Sequence, residues 1–404
     1  MTLEPQDWGE QTRAVHPPIS PPPVQRPLGL PVYRTAAFAF ADSAEYADVL
    51  SGRRPGHSYG REGNPTAEAF ALAAAALEGY GVDGEVRGEA FASGMAATST
   101  VLMALGRSGA HVLAPRQIYG GTYGVLTALL GRFGVVADFV DCRDLDAVGA
   151  ALRPETALLW AETLANPTTT VADLPALAGL AHAAGVPLVV DSTFASPAVC
   201  RPLTHGADLV VHSATKYIGG HSDVLGGVVI GREELVEQVH RTRSALGGSL
   251  SPDDAFLLHR GLATLPLRMA RHCASAWQLA RALDADPTVR AVHYPGLPGT
   301  ADRALADALF EPGRYGGTLA VVVPGGRAGA AAVCDAARLA SVASSLGGTH
   351  TKLSPVASTT HRQLDEETLA AAGIDPGTIR ISVGLEDAAD LVADLTAALA
   401  LAIR

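Results

Sequence analysis

Residues 208–221, with the sequence DLVVHSATKYIGGH, carry the strongest structural signal in this 404-residue chain. They begin with an apolar run typical of a buried strand, continue with serine, threonine and lysine, and end in a glycine-rich turn. Polar groups that directly follow a buried strand lie at the edge where α/β proteins form their sites. We therefore predict that Lys216 lies at such an edge.

Lys216 is one of only two lysines in the chain, the other being Lys352, against 28 arginines. Arginine can supply positive charge, but its pKa is too high for it to lose a proton and attack a carbonyl group. A lysine in so lysine-poor a chain is therefore a candidate for amine chemistry. Chance survival in a biased composition is the alternative, and scarcity alone does not exclude it.

The chain around this stretch has three parts. Residues 1–62 are rich in proline, and we expect an extended N-terminal arm. In residues 63–255, seven short apolar runs alternate with Ala/Leu-rich helical segments, which predicts an α/β domain with a large, mostly parallel sheet covered by helices on both faces. Residues 256–404 contain a long helical stretch, further apolar runs and a final amphipathic helix, which predicts a smaller C-terminal α+β domain.

The composition excludes several classes of protein. The net charge of −11 argues against sequence-independent binding of nucleic acid. No apolar run is long enough for a transmembrane helix, and the polar first residues do not resemble a signal peptide. The four cysteines are far apart and show neither a disulfide framework nor metal-ligand spacing, so no metal is predicted. We expect a cytoplasmic protein.

Asp191 directly follows the apolar run 187–190 and is expected at the carboxyl edge of the same sheet. A carboxylate there can hold a protonated ring nitrogen, although a helix cap or a turn is the commoner role. Tyr119 follows another apolar run and can stack on a planar ring, although a half-buried tyrosine is the commoner case. Each residue alone is weak support for a site.

Two clusters of small and hydroxyl residues could bind a phosphate group. Gly94 and Met95 lie in a turn between a strand and an Ala-rich helix, and free N–H groups at a helix start bind phosphate. The hydroxyls of Ser213 and Thr215 could cap the same phosphate. An ordinary strand–helix turn is the alternative for the first cluster.

Together, these features describe a site for pyridoxal 5′-phosphate (PLP). Lys216 would form a Schiff base with the cofactor, Asp191 would hold the ring nitrogen, and Tyr119 would stack on the ring. In combination, this interpretation outweighs the separate structural ones. Lys216, Asp191 and Tyr119 are therefore the predicted catalytic residues.

The sequence also resembles the Cys/Met-metabolism family of PLP-dependent enzymes over about residues 56–400. This family includes cystathionine γ-synthase, cystathionine γ- and β-lyases, methionine γ-lyase and O-acetylhomoserine sulfhydrylase. Its motifs are matched in order by YGREGNPT (59–66), SGMAA (93–97), ETLANP (162–167), SATKYIGGHSD (213–223), RGLATL (260–265), SLGG (345–348) and RISVGLED (380–387).

The resemblance implies fold type I and a homotetramer built from two active dimers. It implies that Tyr59 and Arg61 reach across the dimer to the cofactor phosphate of the neighbouring subunit. It also implies that Asn166, Ser345 and Arg380 bind the substrate, with Arg380 pairing with its carboxylate.

The resemblance further implies that Tyr119 moves protons at the γ-substituent. Its other implications concern the choice of substrate. Some methionine γ-lyases have a cysteine two residues after this tyrosine, whereas Gly121 is found here. His350 lies where an acidic residue could meet the distal ammonium group of cystathionine, so cystathionine is expected to be disfavoured. Residues 358–364 look closer to methionine γ-lyases and sulfhydrylases.

The sequence therefore predicts a PLP-dependent carbon–sulfur γ-lyase of the methionine γ-lyase type, acting on a small amino-acid substrate. Cystathionine γ-lyase activity remains an alternative. So does γ-replacement on an O-acyl-homoserine, as in cystathionine γ-synthase or O-acetylhomoserine sulfhydrylase. An aminotransferase and a non-catalytic binding protein are more distant alternatives.

Overall fold

The structure is a computed structural model that describes residues 27–360 and 373–403, together with the single positions 12, 15, 362, 367 and 369. The proline-rich segment 16–23 and parts of segment 358–364 lie outside the described residues. The chain forms two compact units, Met1–Pro31 and Val32–Arg404. Every element and site below belongs to the second unit.

The strands of the second unit form two sheets. The strands are Val86–Phe91 (β1), His111–Pro115 (β2), Val136–Val140 (β3), Thr156–Glu162 (β4), Leu188–Asp191 (β5), Leu209–His212 (β6), Gly227–Arg232 (β7), Ala291–His293 (β8), Thr318–Val322 (β9), Ser341–Val342 (β10), Lys352–Pro355 (β11) and Thr378–Ser382 (β12).

The α-helices are Ser43–Leu50 (α1), Pro65–Glu78 (α2), Gly94–Leu105 (α3), Gly120–Gly124 (α4), Leu145–Ala151 (α5), Leu174–Ala183 (α6), Glu233–Leu246 (α7), Pro252–Leu262 (α8), Leu265–Asp284 (α9), Arg303–Leu309 (α10), Gly326–Ala336 (α11) and Ala388–Ala402 (α12). No helix of the described residues is long and apolar enough to cross a membrane.

Among the described residues, the larger sheet has seven strands in the order β1-β7-β6-β5-β4-β2-β3. Strands β6, β5, β4, β2 and β3 run parallel to one another, while β7 runs antiparallel to both β1 and β6. The prediction of a large, mostly parallel sheet is therefore confirmed, with β7 as the exception. All the strands except β7 end at the same edge, which is where the polar residues of the sequence motifs follow them.

Both faces of this sheet are covered, which explains why its strands are continuous apolar runs. Val189 and Val211 pack on one face and Val190 and Val210 on the other, and all four are fully buried. The strands are therefore held on both sides by buried apolar side chains. This rigid sheet fixes the positions of the residues that follow its strands.

The smaller sheet has the order β10-β11-β12-β9-β8 and is antiparallel except for the pair β10 and β11. It lies in the C-terminal part of the chain, in agreement with the predicted α+β organisation. The predicted long helix is divided at Thr264, because Pro266 falls in the first turn of α9 and cannot continue the hydrogen bonding of α8.

Candidate active site

A cavity of about 390 Å³ lies at the carboxyl edge of the larger sheet. Glu162 and Asp191 are the last residues of β4 and β5, and Ser213 directly follows β6. The smaller sheet contributes Arg380 from β12. The lining consists of Ser93, Gly94, Met95, Thr98, Tyr119, Glu162, Leu164, Asn166, Asp191, Thr193, Phe194, Ser213, Thr215, Lys216, Leu225, Ser344, Ser345, Leu346, Thr360 and Arg380.

Lys216 lies in the turn after β6, where its N–H donates to the carbonyl of Ser213 at 3.0 Å. Burial lowers the pKa of its amine, and the positive charges of Arg380 and Lys352 lower the pKa further, while Asp191 opposes them. A lowered pKa increases the fraction of neutral amine, which is the nucleophilic and basic form. Within the described part of the chain, the amine takes no hydrogen-bond partner.

The other lysine has a different environment. Lys352 does not line the cavity, and its amine donates to the hydroxyl of Ser222 at 2.9 Å. His350 is exposed and also lies outside the lining, with its Nδ1 atom 3.0 Å from the hydroxyl of Thr349. The structure therefore supports Lys216 rather than Lys352, and the substrate preference argued from His350 stays a prediction.

Asp191 and Glu162 are paired in register at the ends of adjacent parallel strands. Burial raises the pKa of both carboxyl groups, and the charge of Asp191 raises the pKa of Glu162 further. One oxygen of Asp191 accepts from the N–H of Thr193 at 2.9 Å. A carboxylate in such a position gains stability from a positively charged donor, which a protonated ring nitrogen would supply.

Glu162 was not assigned a role from the sequence, although it begins the matched motif ETLANP. Its Oε1 atom accepts from the N–H of Tyr119 at 2.7 Å. It thus holds the backbone of one of the predicted catalytic residues. The signal that could have found it is its place directly after a buried strand, which it shares with Asp191.

Gly94 opens α3 beside Ser213, where an added Cβ atom would lie only 2.6 Å from the Ser213 side chain. Ser93 caps this helix through Ala96, and the N–H groups of Gly94 and Met95 have no acceptor in the described part of the chain. Free N–H groups at a helix start fit a phosphate group.

The hydroxyl of Ser213 lies on the same wall as these N–H groups. Thr215 also lines the cavity, but its hydroxyl is already bonded to the backbone of Gly226, at 3.0 Å as acceptor and 3.2 Å as donor. We call the free N–H groups of Gly94 and Met95, with the hydroxyl of Ser213, the phosphate cup. PLP fits this cup together with the buried carboxylate of Asp191 and the amine of Lys216, which has no partner among the described residues.

Arg380 is only 5% exposed. Its guanidinium donates to the side-chain oxygen of Asn166 and to the backbone carbonyl of Ser345, both at 3.1 Å. Ser345 has a φ of 72°, a left-handed conformation that is uncommon for a serine and over-represented at functional sites. The three predicted substrate-binding residues are therefore brought together around one cation.

Tyr59 and Arg61 do not line this cavity. They border a separate, open concavity of about 460 Å³, together with Arg34 and Asp253. The Tyr59 side chain is 48% exposed, and the guanidinium of Arg61 lies 5.8 Å from the centre of the Tyr59 ring. Ten of the twelve catalytic, cofactor and substrate residues predicted from the sequence thus share one cavity, and these two lie elsewhere on the chain.

Arg268 and His272, on α9, support the segment that follows Lys216, and no sequence pattern indicated either role. The guanidinium of Arg268 donates to the carbonyls of Tyr217 at 2.6 Å, Ile218 at 3.2 Å and Gly261 at 2.7 Å. The ring of His272 packs edge-on against Tyr217. An arginine or a histidine in an amphipathic helix is usually a surface residue, so periodicity alone could not identify them.

Comparison with known proteins places this site in a family. Residues 11–400 match the family described as Cys/Met metabolism PLP-dependent enzyme. The chain is 41% identical to L-methionine γ-lyase of Pseudomonas putida over 394 residues, covering 97% of both chains. It is 40% identical to cystathionine γ-synthase of Mycobacterium bovis over 392 residues, again covering 97% of both.

A solved structure shows the same fold with the cofactor attached. It is a Campylobacter jejuni protein assigned as an O-acetylhomoserine (thiol)-lyase, and it contains a pyridoxyl-lysine phosphate residue. It superposes with a TM-score of 0.88 at 32% identity, over 94% of this chain and 96% of that one.

Proposed function

This chain belongs to the Cys/Met-metabolism family of PLP-dependent enzymes, and from that membership we propose that it is a carbon–sulfur γ-lyase of the methionine γ-lyase type. Its relatives include both lyases and γ-replacement enzymes, so membership alone gives one of these two activities. The proposed substrate is methionine or a similar amino acid with a thioether at the γ-carbon. The proposed products are a thiol, 2-oxobutanoate and ammonia.

The observation that carries this choice is the distribution of charge in the cavity. Its charged side chains are Glu162, Asp191, Lys216 and Arg380. Each of them has a partner or a role at the cofactor or at the substrate carboxylate. No further charge in the described lining is available for the second ammonium and carboxylate groups of cystathionine. A neutral γ-substituent such as the methylthio group of methionine therefore fits best.

PLP, when bound, supplies an electron sink that stabilises negative charge on the substrate carbons next to the amine. Lys216 would bind it covalently and Asp191 would hold a proton on its ring nitrogen. The start of α3, at Gly94 and Met95, and the hydroxyl of Ser213 would bind its phosphate. Tyr119 would stack on its ring.

The substrate would be oriented by Arg380, whose two guanidinium nitrogens can hold a carboxylate bidentately. Once the substrate amine has released it from the cofactor, Lys216 would take the proton from the substrate α-carbon, which its lowered pKa favours, and a second proton would leave the β-carbon. The hydroxyl of Tyr119 would give a proton to the departing sulfur. Glu162 keeps Tyr119 in place through the backbone N–H at 2.7 Å.

The second candidate is γ-replacement on an O-acyl-homoserine. The 40% identity to a cystathionine γ-synthase supports it. The same residues would serve both reactions, because elimination and replacement differ only after the γ-substituent has left. Replacement would require room for a second, thiol-bearing substrate in the same cavity.

The proposal includes a homotetramer in which Tyr59 and Arg61 complete the site of a neighbouring subunit. Their position outside their own chain's cavity supports this arrangement. It also includes a cytoplasmic location, supported by four cysteines that are all unpaired.

The decisive experiment is a substrate panel with the purified holoenzyme. Methionine, cystathionine, O-acetylhomoserine and O-succinylhomoserine would be tested with and without cysteine or sulfide, with Lys216→Ala as the inactive control. We expect the highest kcat/KM for methionine, with ammonia and 2-oxobutanoate released in equal amounts. Formation of cystathionine from O-succinylhomoserine and cysteine, without turnover of methionine, would establish replacement instead.

A further inference from the structure

Arg243 is a buried cation that lies outside the cavity around Lys216. Its side chain, on α7, is only 4% exposed. Its Nη1 atom donates to the carbonyl of Arg61 and to the hydroxyl of Ser249, both at 2.7 Å, and its Nη2 atom donates to the carbonyl of Glu62 at 2.6 Å. Its Nε atom faces the carboxylate of Glu89.

These contacts are strong because they are charged and desolvated. A guanidinium carries five donors in a rigid planar fork, so it can reach acceptors spread over a wide plane, which the compact ammonium of a lysine cannot span. Glu89 supplies the opposite charge that a buried cation needs, and it also bonds the ring of His240 at 3.0 Å. Arg243 is therefore fixed in position and can hold the backbone that it contacts.

The backbone that it holds belongs to a tight loop, which we call the hook and define as residues 59–63. Within the hook, the carbonyl of Tyr59 accepts from the N–H groups of Glu62 at 2.9 Å and Gly63 at 3.2 Å. The guanidinium of Arg61 donates to the carbonyl of Ser244 at 2.5 Å. Arg243 holds the backbone of the hook against α7, and the side chains of Tyr59 and Arg61 are exposed on the outer side of the hook.

We propose that Arg243 is a positioning residue for the cofactor site of the neighbouring subunit. It fixes the direction in which Tyr59 and Arg61 leave the surface, so that they can reach a phosphate group there. This inference rests on the proposed shared site. It adds that the effect of Arg243 is exerted in the partner's cavity rather than in the cavity of its own chain.

The test is subunit mixing, in which each variant is assigned to one side of the shared site. In a hybrid of Arg243→Ala and Lys216→Ala chains, one cavity receives an intact Lys216 and an intact hook, so activity should return. In a hybrid of Arg243→Ala and Arg61→Ala chains, both cavities receive a defective hook, so no activity should return. The mixtures are assayed at a PLP concentration that leaves the Arg243→Ala protein largely unloaded.

A second measurement does not depend on turnover. The dissociation constant for PLP, measured by its absorbance and fluorescence, should rise about tenfold or more in Arg243→Ala, since charge-assisted bonds that orient the hook are lost. Arg243→Lys keeps the charge beside Glu89 but not the fork, so it should show a smaller rise, and it replaces the alanine variant if that chain does not fold. The matched control is Arg241→Ala, two residues away and 71% exposed, which should bind PLP as the wild type does.

The outcomes separate this inference from the function on which it rests. If the wild type does not carry PLP on Lys216, the proposed function fails. If Arg61→Ala and Lys216→Ala chains exchange subunits without recovery, the shared site fails. Suppose that the pair of Arg61→Ala and Lys216→Ala chains recovers activity. The inference is then overturned if a folded Arg243→Ala chain fails to recover activity with Lys216→Ala, or if it recovers activity with Arg61→Ala. Either result would mean that Arg243 does not act through the hook.

Discussion

Arg380 is a buried cation that has only neutral acceptors among the described residues. Burial lowers the pKa of its guanidinium, yet the group remains charged because its ordinary pKa is far above neutral. Its partners, the Asn166 amide oxygen and the Ser345 carbonyl, orient the charge without neutralising it. The missing negative charge is therefore the contribution expected from a substrate carboxylate.

Replacing Arg380 by alanine should lower kcat/KM by about tenfold to a few hundredfold, since a charged hydrogen-bonded pair contributes about 1.5–3 kcal/mol. Arg380→Lys should restore little, because a single ammonium cannot reproduce the bidentate contact. Steady-state kinetics with methionine measure the loss, and the cofactor absorbance should persist in both variants. Wild-type kinetics in Arg380→Ala would remove this residue from the site.

His272 should make the protein sensitive to acid. Its Nδ1 atom lies 2.7 Å from the carbonyl of Val383 and must donate a proton to it, which leaves Nε2 as a buried acceptor without a partner in the described chain. Burial lowers the pKa of His272 to about 4, from an ordinary 6.5. The unfolded chain therefore binds more protons than the folded chain between these values, and stability is lost as the pH falls through this window.

We expect this residue to cost up to about 2 kcal/mol of stability at pH 5 relative to pH 8. In His272→Asn, the amide can still donate to Val383 but does not titrate, so the shift of the urea midpoint between the two pH values should shrink. The exposed His350→Asn is the matched control and should behave as the wild type. An unchanged shift in His272→Asn would assign the acid sensitivity to other groups.

The sequence predicts the residues whose type is unusual for their place, and it misses those whose type is common. Lys216 could be found because lysine is rare in this chain, and Asp191 because it follows an apolar run. Arg243 and Arg268 could not be found, since a buried arginine and a surface arginine look alike in a helical pattern. Their roles depend on carbonyl groups brought near by the fold, which leave no trace in local sequence.

The strands and helices around the site were largely predictable because apolar periodicity reflects burial. The sequence Asn64-Pro65-Thr66 is typical of a helix start, and α2 begins there, with the Asn64 side chain accepting from the N–H of Thr66. The final amphipathic helix predicted from the sequence is found as α12. What periodicity could not give is the direction of β7, because an apolar run packs equally well in parallel and antiparallel sheets. Apolar periodicity also could not predict the contact between α3 and the turn after β6.

That contact makes Gly94→Ala a sharp test of the phosphate cup. The added Cβ atom would lie 2.6 Å from the Ser213 side chain, so α3 must move away from the turn that carries Lys216. We expect a loss of about 1–3 kcal/mol in the free energy of unfolding, as for other overpacked positions. PLP binding should weaken as well, and both are measured by urea unfolding and PLP titration.

The control for this substitution is Gly179→Ala in the middle of α6. Apart from the local backbone of α6, no described atom lies within 4 Å of a Cβ atom at that position. The alanine should therefore raise stability by about 0.5–1 kcal/mol, because it restricts the unfolded chain and favours the helix. If Gly94→Ala behaved like Gly179→Ala, the close approach of α3 to Ser213 would not matter for the cofactor.

For the chain as a whole, the division into an arm, residues 63–255 and residues 256–404 remains a proposal. The boundary at residue 255 falls within α8, whereas the strands of the two sheets are separated more widely, between Arg232 and Ala291. Composition changes gradually along a helix that follows one sheet and precedes another. Sequence patterns therefore locate the two sheets better than they locate a border between domains.

Assembly should be inseparable from cofactor binding if the hook completes a neighbour's site. We expect light scattering to give the mass of four chains, and we expect dilution to release PLP as dimers dissociate. The measurement is PLP fluorescence against protein concentration, with the mass determined on the same samples. Monomers that retain PLP with the affinity of the assembled protein would contradict this expectation.

The two lysines also give this protein a simple proteolytic signature. A lysine-specific protease acting on the denatured chain can cut only after Lys216 and Lys352, giving fragments 1–216, 217–352 and 353–404. Borohydride treatment of the holoenzyme should convert Lys216 into a pyridoxyl-lysine that the protease does not recognise, so fragment 1–352 should remain whole. The ratio of the two largest bands on a gel would then report what fraction of the subunits had carried the cofactor.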